Sequence, residues 1–406
     1  MNNQHPGRSG TNYLYTGWLI ALAFFALAGT TGALFRYGLA YGFTAGLNLV
    51  NIRHGHSHLM YFGWATPALV AIIAAWLPSM TGRSASNKVK WILGTIFITA
   101  LVAFPSFLAF GYTPAEIGGH HLPLSEMAAG LNVIGWYFFV GYYAWQTHGL
   151  PRNRTLMLWD ISLVFLVLAT LGAWGLALLK PLGVTSLLWT TALTHVFLDL
   201  FSEGWFVVAV LGALYAAMGE GERPAGHWSL WVIVAGLPVT FAFGMPSSLI
   251  APGFEIMARI GAAMVGVGLL ANAVILWRTP AGMNWIWRVP LALLALKAVV
   301  QLGMSVAPIL LWAGHHGLRI LYLHIMLLGV VTSGLVAVAS GTWPMSERRL
   351  TAWMYAAVVV VLVSLLPLTS LWPAAWVSVW SLKVAAWMAP APVLAALALI
   401  GAGLRS

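Results

Sequence analysis

Hydrophobic residues in this chain do not alternate with polar ones. They come in long unbroken blocks separated by short polar connections. A helix crossing the hydrocarbon layer of a bilayer needs about 20 consecutive apolar residues. Twelve blocks approach or exceed that length, near 14–36, 57–79, 90–112, 125–146, 156–178, 186–218, 228–249, 254–277, 289–313, 317–340, 351–372 and 380–403. The sixth is long enough for a tilted helix with an overhang. No connection is long enough for a soluble domain, and no repeat or low-complexity tract breaks the pattern. The expected fold is all-α: a polytopic membrane protein of about 12 transmembrane helices, with residues 1–406 as a single transmembrane domain.

Composition agrees. Of 406 residues, 61% are hydrophobic and 7% charged, far from the balance of a soluble globular protein. The absence of cysteine excludes disulfides, iron–sulfur clusters, thiolate metal sites and covalent c-type haem. The formal charge of +10 is not a nucleic-acid signal, because the basic residues are scattered between apolar blocks. They set topology instead. Arg8, Arg83, Lys88, Lys90, Arg152, Arg154, Arg223, Arg278, Arg288, Arg348, Arg349 and Arg405 fall on one side of an alternating path. Only Arg36, Arg53, Lys180, Arg319 and Lys383 fall on the other. The positive-inside rule then places both termini in the cytoplasm. The first residues lack the pattern of a cleavable signal peptide.

The candidate chemistry lies in the histidines. Nine of the 12 fall at or near the outer face in this topology: His54, His56, His58, His120, His121, His195, His315, His316 and His324. Histidine within a span is costly and usually functional. His56 and His58 open the second block, and His195 and His324 lie one to two turns inside the sixth and tenth. Imidazole is a common ligand for b-type haem and for copper. Beside these block starts, Arg53 and Arg319 are candidates for haem propionates, or for lipid headgroups. In THVFLDLFSEGW, His195, Asp199 and Glu203 fall at i, i+4 and i+8 and share a helix face. They suit a non-haem metal, a proton path or a structural polar network. Lys297 and Gln301, one turn apart in the ninth block, are a further buried polar pair.

With these residues in place, the chain resembles subunit I of the haem–copper oxidases and nitric oxide reductases. In HSHLMYFGWATPALVAIIAAWLP, His56, Met60, Phe62 and Pro67 fall at the family spacing. In YLHIMLLG, His324 matches the low-spin haem ligand and Gly329 the glycine that follows, while Tyr322 stands where the high-spin haem ligand would be. His195 resembles the ligand of the copper or non-haem iron, and Asp199 the acidic residue one turn later. The family's adjacent histidine pair on its seventh helix is replaced by Ser247 and Ser248 in GMPSSLIAPG. The second block also resembles the NnrS family of nitric-oxide-responsive haem and copper membrane proteins, through His56, His58, Met60, Phe62, Gly63 and Trp64 and the segment from Pro78 to Arg83.

The resemblance implies a haem–copper-oxidase-like bundle holding at least one low-spin haem b, with His56 and His324 as axial ligands and His58 in reserve. It leaves open a second haem, which Tyr322 does not exclude because tyrosine can ligate haem, and a non-haem iron or copper on His195, Asp199 and His58. Asp199, Glu203 and Tyr322 become catalytic candidates. The expected function is reduction of a small diatomic gas, nitric oxide or oxygen, by a haem b membrane oxidoreductase. The alternatives are an NnrS-like gas-responsive haem or metal protein without turnover, and a transporter. The expected setting is the cytoplasmic (inner) membrane of a bacterium or archaeon. Electrons would come from a cytochrome, a cupredoxin or a quinol, and no nucleic acid is a partner.

Overall fold

A computed structural model describes residues 12–223, 227–306, 316–343 and 348–405. Arg8 and His315 lie outside the described residues, as does the side chain of His316. The protein is an all-α polytopic membrane protein. Among the described residues, ten helices are long and apolar enough to cross a membrane: α1 Asn12–Tyr41, α2 Leu49–Thr81, α3 Lys88–Phe110, α5 Arg154–Leu179, α6 Leu187–Ala217, α8 Pro252–Trp277, α9 Trp285–Val306, α10 Gly317–Thr342, α11 Arg348–Leu368 and α12 Val379–Gly403. Two more fill the remaining blocks. The helix α4, Leu124–Thr147, is long enough but interrupted by Glu126, Asn132 and Gln146. The helix α7, Trp228–Thr240, is short and ends in a tighter turn over Phe241–Gly244. The sixth block is one continuous helix, as its length suggested.

The second helix starts earlier than its apolar block. Asn48 accepts hydrogen bonds through its side chain from the amides of Val50 and Asn51 and so caps α2 at Leu49. The polar run NIRHGHSH is therefore helical, and His54, His56 and His58 lie inside α2 rather than at its mouth. The segment YTPAEIGGHHLPLSE is also more ordered than a plain loop. Ala115–Ile117 (β1) pairs antiparallel with His120–Leu122 (β2) through Gly118 and Gly119, both at positive φ, as a two-residue hairpin turn requires.

The contacts divide the chain into two compact units, where the sequence reading takes one domain. The first comprises 1–150, 338–364 and 377–406, and the second 151–337 and 365–376. The division passes through α10 between Ala337 and Val338, so no linker composition announces it. In the first unit α1 packs on α2 and α12, and α3 packs on both α2 and α4. In the second, α5 packs on α6, α8 packs on α7 and α9, and α10 packs on α6 and α9.

Burial singles out three helices. In their most apolar stretches α2 is 89% buried and α6 and α10 are each 78% buried, against 50% or less for the other seven. The enclosed helices are thus every fourth one. The remainder show lipid-facing rows such as Trp91, Ile98, Leu101 and Val102 on α3.

Two devices join the outer helices to their neighbours. At Gly172 on α5 a Cβ would stand 2.7 Å from the Leu193 carbonyl of α6, so these backbones touch. Small residues allow such close approach between membrane helices. Arg83, just after α2, donates to the carbonyls of Trp145 and Gln146 at 2.8 Å and of His148 at 3.0 Å. It thereby satisfies carbonyls at the C-terminus of α4 that have no partner within the helix.

Gly172→Ala is expected to cost about 1–3 kcal/mol through overpacking. Gly94→Ala, whose Cβ would meet nothing within 4 Å, is expected to be neutral or slightly stabilising. Denaturation of both variants in detergent checks this, and equal stabilities would remove the close-contact argument.

Candidate functional site

Each enclosed helix carries chemistry and a local change of winding. The α-helical pattern gives way to a wider π turn at Leu59–Ala65 in α2, Leu200–Val207 in α6 and Ile325–Thr332 in α10. These segments begin one residue after His58, Asp199 and His324. Each has glycine at its fifth position: Gly63, Gly204 and Gly329. At Gly63 a Cβ would meet Phe24 of α1 at 2.3 Å, and at Gly204 it would meet Phe165 of α5 at 2.6 Å. A π turn shifts the register of the side chains around it and is frequent at functional sites.

In the first unit, His56 reaches across to α1. Its Nδ1 lies 2.7 Å from the Ala28 carbonyl. A carbonyl only accepts, so Nδ1 carries the proton and Nε2 holds the free lone pair. Nε2 has no hydrogen-bond partner among the described residues. The ring rests on Gly32 of α1, where a Cβ would come within 2.7 Å of it. This is the arrangement in which imidazole ligates a metal, with the other nitrogen held by a carbonyl. His58 is committed differently. Its Nδ1 faces the His54 carbonyl at 2.9 Å, and its Nε2 faces the Tyr112 hydroxyl at 3.2 Å. Its ring stacks on Phe107 with centroids 3.6 Å apart. Of the two candidates on α2, His56 suits haem iron and His58 does not. Arg53 is exposed on the same helix. The hairpin histidines His120 and His121 are exposed as well.

In the second unit, His324 directs Nδ1 to the Ile320 carbonyl at 2.8 Å, one turn back on α10. The same proton assignment follows, which puts the ring lone pair on Nε2. The constellation on α6 gathers partners from three helices. Arg319 of α10 places Nη2 3.1 Å from His195 Nδ1. The same Nη2 lies 3.5 Å from His195 Nε2, so the cation stands beside the ring rather than along one lone pair. The His195 ring is seated on Gly244, at the end of the turn that follows α7. Asp199 accepts from the Thr240 hydroxyl of α7. Glu203 forms an ion pair with Lys297 of α9 and accepts from the Tyr322 hydroxyl of α10. Gln301 completes the group, with its Oε1 near the Tyr322 hydroxyl and 3.1 Å from Lys297 Nζ. Lys297, Gln301 and Glu203 are 0, 1 and 2% exposed.

These contacts change two expectations. A non-haem iron or copper on His195, Asp199 and His58 does not fit. Arg319 sets a cation against His195, Lys297 pairs with the adjacent Glu203, and both nitrogens of His58 are engaged in the first unit. Among the described residues no group of three or more His, Cys, Asp or Glu could hold a metal ion. A second haem on Tyr322 does not fit either, because the phenol oxygen is bonded to Glu203 and Gln301. Arg319, expected beside a propionate, is instead the partner of His195. Sequence reasoning paired Lys297 with Gln301 from their one-turn spacing. It had no signal for Thr240, for the seats at Gly32 and Gly244, or for the Arg319–His195 contact.

A second polar chain joins four helices of this unit near the far end of α6. Arg154 of α5 donates to the Tyr215 hydroxyl at 3.5 Å, and that hydroxyl donates to Asn272 of α8 at 2.8 Å. Asn272 donates to Ser229 of α7 at 3.0 Å. His227, which caps α7, accepts from the Ser229 amide. Burial, followed by the charges of Arg154 and Arg223, holds His227 below the ordinary imidazole range, so it stays neutral and able to accept.

No family model matches the chain, and no curated protein matches its sequence.

Removing one partner of a buried ion pair typically costs about 3–5 kcal/mol, because the other charge is left unpaired. Lys297→Met is expected to destabilise the protein by about that amount, and adding Glu203→Gln should recover more than half of it. Thermal unfolding of the wild type, both single variants and the double variant tests this. A double variant no more stable than Lys297→Met would show that the charge pair is not the cause.

Proposed function

We propose that this protein is a haem b membrane protein whose function is redox chemistry on a small diatomic gas, nitric oxide or oxygen. His56 and His324 each ligate haem iron in this reading. The observation that carries it is the setting of His56. Its Nδ1 is fixed by the Ala28 carbonyl, its ring is seated on Gly32, and its Nε2 lone pair is uncommitted. His324 has the same Nδ1-to-carbonyl brace. Further support comes from the enclosure of α2, α6 and α10, the helices on which the resemblance to subunit I of haem–copper oxidases and nitric oxide reductases rests.

Haem bound there supplies a reversible one-electron centre. The chain's own contribution is to present neutral imidazoles, to keep ions out with apolar walls that a neutral gas can cross, and to hold protons on the polar group around Glu203. The electron donor is a quinol, a cytochrome or a cupredoxin. The setting is the cytoplasmic (inner) membrane of a bacterium or archaeon, with both termini in the cytoplasm. A second reading, a gas-responsive haem protein without turnover, is favoured by the cations Arg319 and Lys297, which occupy the expected second-metal position.

Purified protein should show a reduced-minus-oxidised b-type spectrum. His56→Ala and His324→Ala should each abolish the low-spin signal, while His58→Ala should keep it. A normal spectrum in both of the first two variants sinks the ligand assignment. Consumption of nitric oxide or oxygen under an artificial reductant separates turnover from response alone.

A further inference from the structure

One end of the first unit is basic without counter-charge. There α1, α3 and α11 begin and α2, α4 and α12 end, and the described cations are Arg83, Lys88, Lys90, Arg348, Arg349 and Arg405. The carboxylates described in this unit, Glu116 and Glu126, stand at the opposite end of α3 and α4. Glu347 lies outside the described residues. In the second unit, by contrast, Arg152 pairs with Asp160 and Arg223 with Glu220. Two of the six cations converge on Trp145, near the end of α4. Arg83 donates to its carbonyl, and Lys88 places its ammonium 4.7 Å from the centre of its ring. Both contacts position a cation and neither neutralises it, because a carbonyl is a dipole and an aromatic face attracts a cation without carrying net charge. Lys90 belongs to another side of α3, where its ammonium lies 5.0 Å from the centre of the Tyr13 ring of α1.

A second observation lies along the helices that carry this pair. Lys88, Trp91, Ile98 and Val102 share one face of α3 by their spacing. The three apolar members are exposed, Trp91 by 82%. On α4, Leu131, Phe138 and Trp145 recur every seven residues, about two turns, and all three are exposed. Each stripe runs along its helix and ends at the cations, with Trp91 one turn from Lys88 and Trp145 beneath its ammonium. A soluble anion needs only the cations. A negative headgroup carried on apolar chains needs both parts, in this order along the helices.

We propose that Arg83, Lys88, Trp91 and Trp145 form a binding site for one anionic phospholipid. Its phosphate takes the charge of Lys88 and Arg83, and its acyl chains lie along the stripes of α3 and α4. The phosphate oxygens only accept, and the ammonium brings three donors to them. The two tryptophans sit at the depth of the lipid headgroups, where an indole ring is favoured. Because Arg83 follows α2 and also closes α4, and Lys88 opens α3, a lipid held there bridges the ends of three helices. The site needs no haem and so goes beyond the reading above.

Native mass spectrometry of the full-length protein in detergent, titrated with phosphatidylglycerol, tests the site. Phosphatidylcholine with the same chains and glycerol phosphate serve as comparisons. The wild type is expected to retain one phosphatidylglycerol at least about fivefold more tightly than phosphatidylcholine, and glycerol phosphate should not displace it. Lys88→Gln should weaken phosphatidylglycerol about fivefold, the effect of one cation near an anionic headgroup. Lys88→Arg should restore it, and Lys90→Gln should cost clearly less. Equal retention of the two lipids overturns the proposal, as does displacement by glycerol phosphate. A loss in Lys90→Gln as large as in Lys88→Gln overturns it too, since the surface would then be diffusely basic. Should Lys88→Gln fail to fold, the two lipids and glycerol phosphate on the wild type still decide. Haem absorbance of the same samples reports separately, so a haem-free protein that selects phosphatidylglycerol would sink the proposed function and leave this site standing.

Discussion

A buried charge pair, Lys297 with Glu203, is the interaction that most constrains the second unit. Taking two charges out of water costs several kcal/mol per ion unless close partners replace the lost hydration. Three helices supply those partners. The α6 helix brings Glu203, α9 brings Lys297 and Gln301, and α10 brings Tyr322. None can rotate or slide without stranding a charge. The pair therefore fixes relative depth and rotation, which apolar packing against apolar lipid specifies poorly. Asp199 and His195, one and two turns away on the same helix, inherit their positions from it.

The histidines of the two units show a related economy of space. An imidazole that lies nearly against a neighbouring backbone leaves no room for a side chain beneath it. Glycine at 32 clears the seat for His56, and glycine at 244 clears the one for His195. The partners then differ. His56 faces a carbonyl, whereas His195 faces a guanidinium. Two histidines with the same apparent promise thus stand in opposite electrostatic surroundings, decided by the sign of one neighbour.

Much of the fold was legible because span length is a one-dimensional property. Blocks of apolar residues name helices whatever surrounds them, and ten reappear as long apolar helices. The start of α2 was misjudged because its first turns are polar, and the Asn48 cap, rather than hydropathy, decides it. The π turns were not legible, since one extra residue in a wholly apolar stretch leaves the pattern unchanged. Their shared glycine is a sequence trace, but it gains meaning only beside the winding. On α6 the spacing of His195, Asp199 and Glu203 was readable because it is local. Their cationic partners come from 124 residues away for Arg319 and from a different helix again for Lys297, and no local pattern reports such distances.

Arg83 joins two properties that sequence reasoning keeps apart. Its charge is one of those on which the expected orientation rests, as a label of one side. Its guanidinium also closes the end of α4, by holding three carbonyls that would otherwise face outward. The label is therefore part of the joinery. Reversing the charge at this position would alter the topological code and loosen a helix end in the same stroke. In this chain, how a segment is oriented and how it is finished are not separable traits.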